Sequence, residues 1–156
     1  MSRNTPAAIE RGAHFTVAHV GPWSELDQYS FDLPKLGKSA QGKLFLKEAL
    51  ELTGVEMSWN SFPPKAATPF LHGHHENEEV YLFISGQGEF MVNDRIFKIG
   101  EGSVVRVSPA GLRAYRNTGN EPLNFIVLQV KEGSLPVSTV EDGFKSDQPL
   151  HWPESA

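Results

Sequence analysis

The amino-acid sequence predicts an all-β sandwich or barrel, and three observations carry that prediction. Short strand-like runs recur between residues 55 and 131, each bounded by turn chemistry. The chain holds 14 Gly and 11 Pro, the supply of turns that an all-β protein needs. Its 156 residues suffice for one domain with a proper hydrophobic core, and no internal repeat divides them.

Residues 1–12 read as a loose start, and His14 to Val20 as a first strand. Residues 21–43 are turn-rich, with Pro22, Pro34, Gly37 and Gly42, and are expected to wrap the outside. The stretch Leu44 to Thr53 carries two signals. Leu44, Leu46, Leu50 and Leu52 suit a strand, whereas Phe45, Ala49 and Leu50 suit a helix ending at Gly54. A short helix is the expectation, so residues 1–54 form an N-terminal arm of helical or irregular character.

Residues 55–131 form the predicted barrel. Val55, Met57, Trp59 and Ser61 alternate with polar residues until Pro63-Pro64 stops the run, and Met57 and Trp59 fit an inward stripe. The segments 80–84, 89–92, 95–99, 103–107, 112–116 and 123–131 read as strands. Between them sit turns such as Gly86-Gln87-Gly88 and Ser108-Pro109-Ala110-Gly111, and Asn93-Asp94 predicts a tight hairpin. The core is expected from residues such as Val80, Leu82, Ile84, Val105 and Ile126. The tail, 132–156, is turn-rich. Its apolar islands Phe144, Leu150 and Trp152 are expected to pack on the barrel or on a partner subunit.

Composition excludes several function classes. Net charge is −5 and basic residues such as Lys35, Lys38, Lys43 and Lys47 stand singly, which argues against a nucleic-acid partner. No apolar run approaches the roughly eighteen residues that span a bilayer, so no membrane association is expected. The first residues lead into no apolar signal region, and the expectation is a cytoplasmic protein. The absence of cysteine excludes disulfides, thiolate chemistry and zinc–cysteine sites.

Chemistry concentrates in His72-Gly73-His74-His75-Glu76-Asn77-Glu78-Glu79, with Gly86 seven residues on. On a strand, His72 and His74 share a face because side chains alternate with a period of two. Two imidazoles and the Glu79 carboxylate suit a divalent transition metal. His75 points away from the pair, and Glu76 and Glu78 read as solvated. A buried Glu79 needs a metal, an arginine or a hydrogen-bonding partner.

The spacing His-x-His-x4-Glu-x6-Gly over His72, His74, Glu79 and Gly86 resembles the first signature motif of the cupin superfamily. That resemblance implies a double-stranded β-helix, a jelly-roll barrel of two antiparallel sheets. It also implies a homodimer in which N-terminal strands add to the partner's sheet. In the family, three histidines and one glutamate commonly hold iron, manganese, zinc, nickel or copper. The second family motif is Gly-x5-Pro-x-Gly-x2-His-x3-Asn. Aligned without gaps on Gly102 and Asn117, it places Arg113 at the histidine position. Aligned on Pro109 and Gly111, it places Ala114 there. Either way the fourth ligand is missing.

What remains is a metal set of His72, His74 and Glu79, for which iron, manganese, zinc and nickel are the candidate ions. An inward Arg113 beside a dication costs several kcal/mol, roughly 4 kcal/mol per unit-charge pair at about 4 Å and an effective dielectric near 20. Two outcomes are physically sensible. Arg113 pairs with Glu79 in a metal-free pocket, or metal and Arg113 together bind an anionic substrate, the guanidinium gripping it bidentately. Arg113, Tyr115 and Tyr81 are the candidate substrate-contacting residues, although core filling is the plainer role for both tyrosines. The first functional reading is a metal-dependent enzyme of the dioxygenase or isomerase class acting on a small anionic or sugar-like molecule. The alternative is a non-catalytic ligand-binding or sensing module in which Arg113 replaces the metal's charge.

Overall fold

The computed structural model describes residues 3–34, 37–137 and 139–154. Two antiparallel sheets make the barrel. One has five strands in the order β10-β7-β12-β6-β5, the other three in the order β11-β8-β9. The strands are β5 (Lys43–Phe45), β6 (Glu56–Phe62), β7 (Asn77–Ser85), β8 (Gln87–Val92), β9 (Arg95–Gly100), β10 (Val104–Val107), β11 (Arg113–Asn117) and β12 (Leu123–Lys131). Each strand expected after residue 55 is present. The turn chemistry also works as expected: Val92 pairs with Arg95, leaving Asn93-Asp94 as the two-residue connection, with Asn93 at φ +52°. At Gly86, between β7 and β8, φ is +88° and an added Cβ would lie 2.5 Å from the Pro122 carbonyl oxygen. Only glycine fits there without strain.

The barrel core is aromatic. Tyr81, Phe83, Phe125 and Val127 of the larger sheet meet Phe90 and Ile99 of the smaller, with Val107 and Leu123 completing the cluster. Phe90 stacks on Phe97 and Tyr115, and Phe125 meets Tyr115 edge-on at 5.2 Å. This corrects the expected core by one residue of parity. Of that set only Val105, opposite Tyr81, packs on this cluster. Val80, Leu82 and Ile126 lie on the other face, and Ile84 is exposed. The run Val-Tyr-Leu-Phe-Ile is apolar at every position, so it contains no alternation to say which face is buried.

The N-terminal arm is more ordered than expected. Strand β1 (Ala8–Arg11) pairs with β2 (Thr16–His19), so a hairpin occupies part of the stretch read as loose. A 3-10 turn at Trp23–Gln28 precedes a second hairpin, β3 (Ser30–Leu33) with β4 (Lys38–Gln41). The ambiguous stretch resolves into both of its signals, strand β5 and then helix α1 (Lys47–Leu50). Val20, Leu26, Tyr29, Leu44, Leu46 and Ala49 form a second apolar cluster, and Met57 and Trp59 pack against it. Trp23 stacks on Trp59 at 4.5 Å. Met57 and Trp59 therefore face away from the barrel interior, and the inward stripe of β6 is Ser58 and Asn60, both buried. The arm lies on its own chain's sheet, and β5 extends that sheet at its edge.

The tail beyond β12 contains helix α2 (Thr139–Asp142). Its apolar islands Phe144, Leu150 and Trp152 are 92%, 76% and 82% exposed and lie outside both apolar clusters of the chain. Among the described residues, no helix is long and apolar enough to cross a membrane.

Candidate metal centre

His72 and His74 are carried by an extended segment rather than by a regular strand. The segment is pinned to β11 and to the turn before it. His72 and Arg113 exchange backbone hydrogen bonds of 3.1 and 2.9 Å, and the His74 amide donates to the Pro109 carbonyl at 3.0 Å. These bonds give the segment the alternation of a strand, so both rings turn inward while His75 is exposed. Glu79 enters from β7, next to the aromatic core.

The three side chains converge. His74 Nε2 lies 3.2 Å from Glu79 Oε1, and His72 Nε2 lies 3.6 Å from Glu79 Oε2. One ligand atom from each residue can be chosen so that all lie within 4.8 Å of one another. A first-row metal bound at about 2.0–2.2 Å to imidazole nitrogen and carboxylate oxygen needs donors spaced by a few ångströms. The donor chemistry and the spacing both fit, and one carboxylate oxygen with two imidazoles leaves coordination positions open.

The surroundings fix Glu79 as an anion. Tyr81 donates a 2.5 Å hydrogen bond to Glu79 Oε2, Arg113 Nε lies 3.5 Å from the same oxygen, and Gln129 Nε2 lies 3.4 Å from Oε1. Burial pushes the carboxyl pKa up, but hydrogen bonds from His72 and Tyr81 and the charges of His74 and Arg113 together hold it down at about 2. Burial, then the charge and hydrogen bond of Glu79, drives the Tyr81 phenol well above its ordinary value, so Tyr81 stays a proton donor.

Arg113 is at the site, in the place given by the gap-free alignment. Ala114 faces the other way and lines a surface depression with Ala67, Met91 and Ile96. Yet Arg113 is 0% exposed, and its guanidinium donates to the carbonyls of His72 and Ser108 at 3.3 Å each. Tyr81 is 2% exposed. Neither presents a surface to a ligand here. Tyr81 holds Glu79 in place, and Arg113 holds both Glu79 and the histidine segment. Tyr115 packs among Phe62, Phe90 and Phe125, as a core residue does.

Reading the sequence missed Gln129, Lys43, Ser58 and Asn60. The register places Gln129 between Glu79 on β7 and Glu56 on β6, and its amide is 3.3 Å from His74 Nε2. Lys43 lies opposite Asn60 and donates to its Oδ1 at 2.7 Å. The available signal was polar residues at every second position of β6 and one glutamine in an otherwise apolar stretch of β12.

Comparison with known proteins agrees with this architecture. A family description, "Cupin domain", matches residues 59–129. A crystallised cupin protein from Bacteroides fragilis is 36% identical, with a TM-score of 0.64 over 67% of this chain and 88% of that one. This chain belongs to the cupin superfamily. A curated relative, an uncharacterized protein of Methanocaldococcus jannaschii, is 27% identical over 74 residues, 47% of this cupin. That match spans 59% of the relative's own length. A putative sugar phosphate isomerase from Acidithiobacillus ferrooxidans is similar in fold alone, at 23% identity and a TM-score of 0.52 over 57% of this chain and 58% of that one.

Proposed function

We propose that this cupin is a metal-dependent enzyme acting on a small molecule, with a divalent transition metal held by His72, His74 and Glu79. The observation that carries the reading is the convergence of two imidazoles and one ionised carboxylate at one point of the barrel wall. A bound metal would supply Lewis-acid or oxygen-binding chemistry at its open positions. The chain's own residues do the rest. Tyr81 and Arg113 keep Glu79 charged and oriented, as partners behind a metal ligand do. Gln129 stands beside His74 and Glu79, placed to hydrogen-bond a ligand polar group. The aromatic core, to which Tyr81 belongs, lies behind the centre.

Elemental analysis of the purified chain after reconstitution tests this. We expect near one transition-metal equivalent per chain. His72→Ala and His74→Ala lose it while melting cooperatively, because neither ring belongs to an apolar cluster. Absence of metal after reconstitution with iron, manganese, zinc and nickel would overturn the reading.

One observation favours a second reading, a metal-free ligand-binding module. Arg113 already lies 3.5 Å from Glu79, a buried charge pair that neutralises the carboxylate without a metal. Under that reading Arg113→His raises metal content. Homodimer formation is part of the proposal in both readings. The support is the apolar strip on the outer face of the larger sheet, where Ile84 and Val104 are exposed and Val80 and Leu82 half-buried. Sedimentation velocity reporting a monomer at micromolar concentration would remove it.

A further inference from the structure

The arm brings one side chain into the barrel that the metal reading does not use. Gly42, at φ +75°, turns the chain so closely against β6 that an added Cβ would lie 2.4 Å from the Ser61 carbonyl oxygen. The next residue, Lys43, begins β5 in register with Asn60. Asn60 is 4% exposed and lies opposite Phe125 of the barrel core. Lys43 therefore points inward, while Leu44 points out into the arm's cluster. Its ammonium donates to Asn60 Oδ1 at 2.7 Å and to Ser58 Oγ at 3.4 Å, and sits 4.7 Å from the centre of the Phe45 ring.

Every one of these partners is neutral. Among the described residues Lys43 belongs to no ion pair. A desolvated cation without a counter-ion is costly, and proteins that keep one commonly use it. Burial lowers the Lys43 pKa to about 8, a shift opposed by the charges of Glu79 and Glu56. A cavity of about 560 Å³ opens beside the amine between β5 and the arm, lined by Lys43, Phe45, Glu56, Phe31, Ile9 and Arg11 among others and by no residue of the metal centre, a size that suits a small molecule. Arg113, the other inward cation, is 0% exposed and lies against Glu79.

We propose that Lys43, held by Asn60 and Ser58, is an anion-binding subsite that takes the carboxylate or phosphate of a small molecule bound in the cavity between β5 and the arm. The ligand class is a small organic anion, and the subsite stands apart from the metal reading. Lysine acts as a point charge for such a group, and the polar floor of Ser58 and Asn60 fixes where that charge sits.

The test is an amide NMR titration of the full chain, metal-free, with malonate and with inorganic phosphate as separate probes. Metal content is measured in parallel on each variant. Saturable shifts at residues 43–45 and 58–60 are expected. Lys43→Met should weaken binding at least tenfold with its metal content unchanged, and Lys43→Arg should bind within about threefold of the wild type. Tighter binding of one probe names the head group and supports the proposal either way. Equal affinity in Lys43→Met, shifts confined to surface lysines, or no saturable binding of either probe overturns it. If the wild type binds no metal but its anion affinity still depends on Lys43, the metal reading fails and the subsite stands.

Discussion

On β6, Met57 and Trp59 turn outward into the arm's apolar cluster, whereas Ser58 and Asn60 turn into the barrel. The neighbouring strands repeat the division. Leu44 faces the arm and Lys43 the interior, and on β12 Gln129 faces the interior beside Glu79. The two faces of one sheet thus do different work. The outer face gains stability from burial under the arm. The inner face divides into an aromatic half, which holds the two sheets together, and a polar half, which carries the site. A polar interior is costly by itself. Here nearly every polar group has a partner, Arg113 Nε and Asn124 Oδ1 being the buried atoms without a hydrogen bond among the described residues.

Removing the charge that balances Glu79 should have the largest effect. Arg113→Met leaves a buried carboxylate without its cation and takes a donor from the carbonyls of His72 and Ser108. Breaking a buried pair by deleting one partner costs about 3–5 kcal/mol. Tyr81 and His72 still contact Glu79, so a loss of about 3 kcal/mol is expected in urea unfolding. A variant as stable as the wild type but weak in ligand binding would instead make Arg113 a substrate residue.

Trp59→Ala probes the outer face. It removes the ring stacked on Trp23 and opens a gap under the arm, for an expected loss of about 3 kcal/mol. The metal content of the folded protein should not change, since the ring lies across the sheet from the histidines. Loss of metal in a cooperatively folded Trp59→Ala protein would show that the faces are coupled.

Lys43→Met is expected to go the other way. The folded chain holds this amine at about 8 against 10.5 for an ordinary lysine, so near pH 7 the native state carries a charge it disfavours. The full gap corresponds to at most about 3 kcal/mol, and some contact with the cavity reduces it. A gain of about 1–2 kcal/mol at pH 7 is expected. Between pH 8 and 10.5 the unfolded chain binds more protons at this position, so this group makes wild-type stability rise with pH there. In Lys43→Met that rise should disappear. A gain in stability with a loss of anion affinity would mark the residue as kept for function.

The strands after residue 55 were legible because Gly, Pro and Asn-Asp punctuation bounds each one. The His72–His74–Glu79 set was legible because its spacing is local and pinned by one strand pair. Facing was not legible. At β6 the alternation is clear, but the rule that apolar residues point to the barrel interior fails when a second apolar cluster lies outside. Lys43 and Gln129 were hidden for another reason. They reach the site from strands 36 residues before Glu79 and 50 residues after it, and only the strand order brings them together. The arm's two hairpins were obscured by short strands with exposed side chains, which leave little periodic signal.

The smallest expected effects test the assignment of faces itself. Val104 and Val105 are adjacent on β10 and differ only in side. Val104 lies opposite Leu82 on the outer face and is 64% exposed, whereas Val105 lies opposite Tyr81 and packs on the aromatic core. Trimming an exposed side chain away from special features changes stability by less than about 0.5 kcal/mol. Deleting two methyl groups from a partly buried valine against a packed ring should cost about 1–2 kcal/mol. Val105→Ala should therefore exceed Val104→Ala by about 1 kcal/mol in urea unfolding at low protein concentration. A one-residue slip of β10 would exchange the two faces and reverse that order. It would also carry Val107, now opposite Glu79 and 2% exposed, away from the carboxylate. The same pair of variants at high protein concentration separates packing within the chain from packing between chains. A cost at Val104 that grows with concentration would place a second copy on the outer strip.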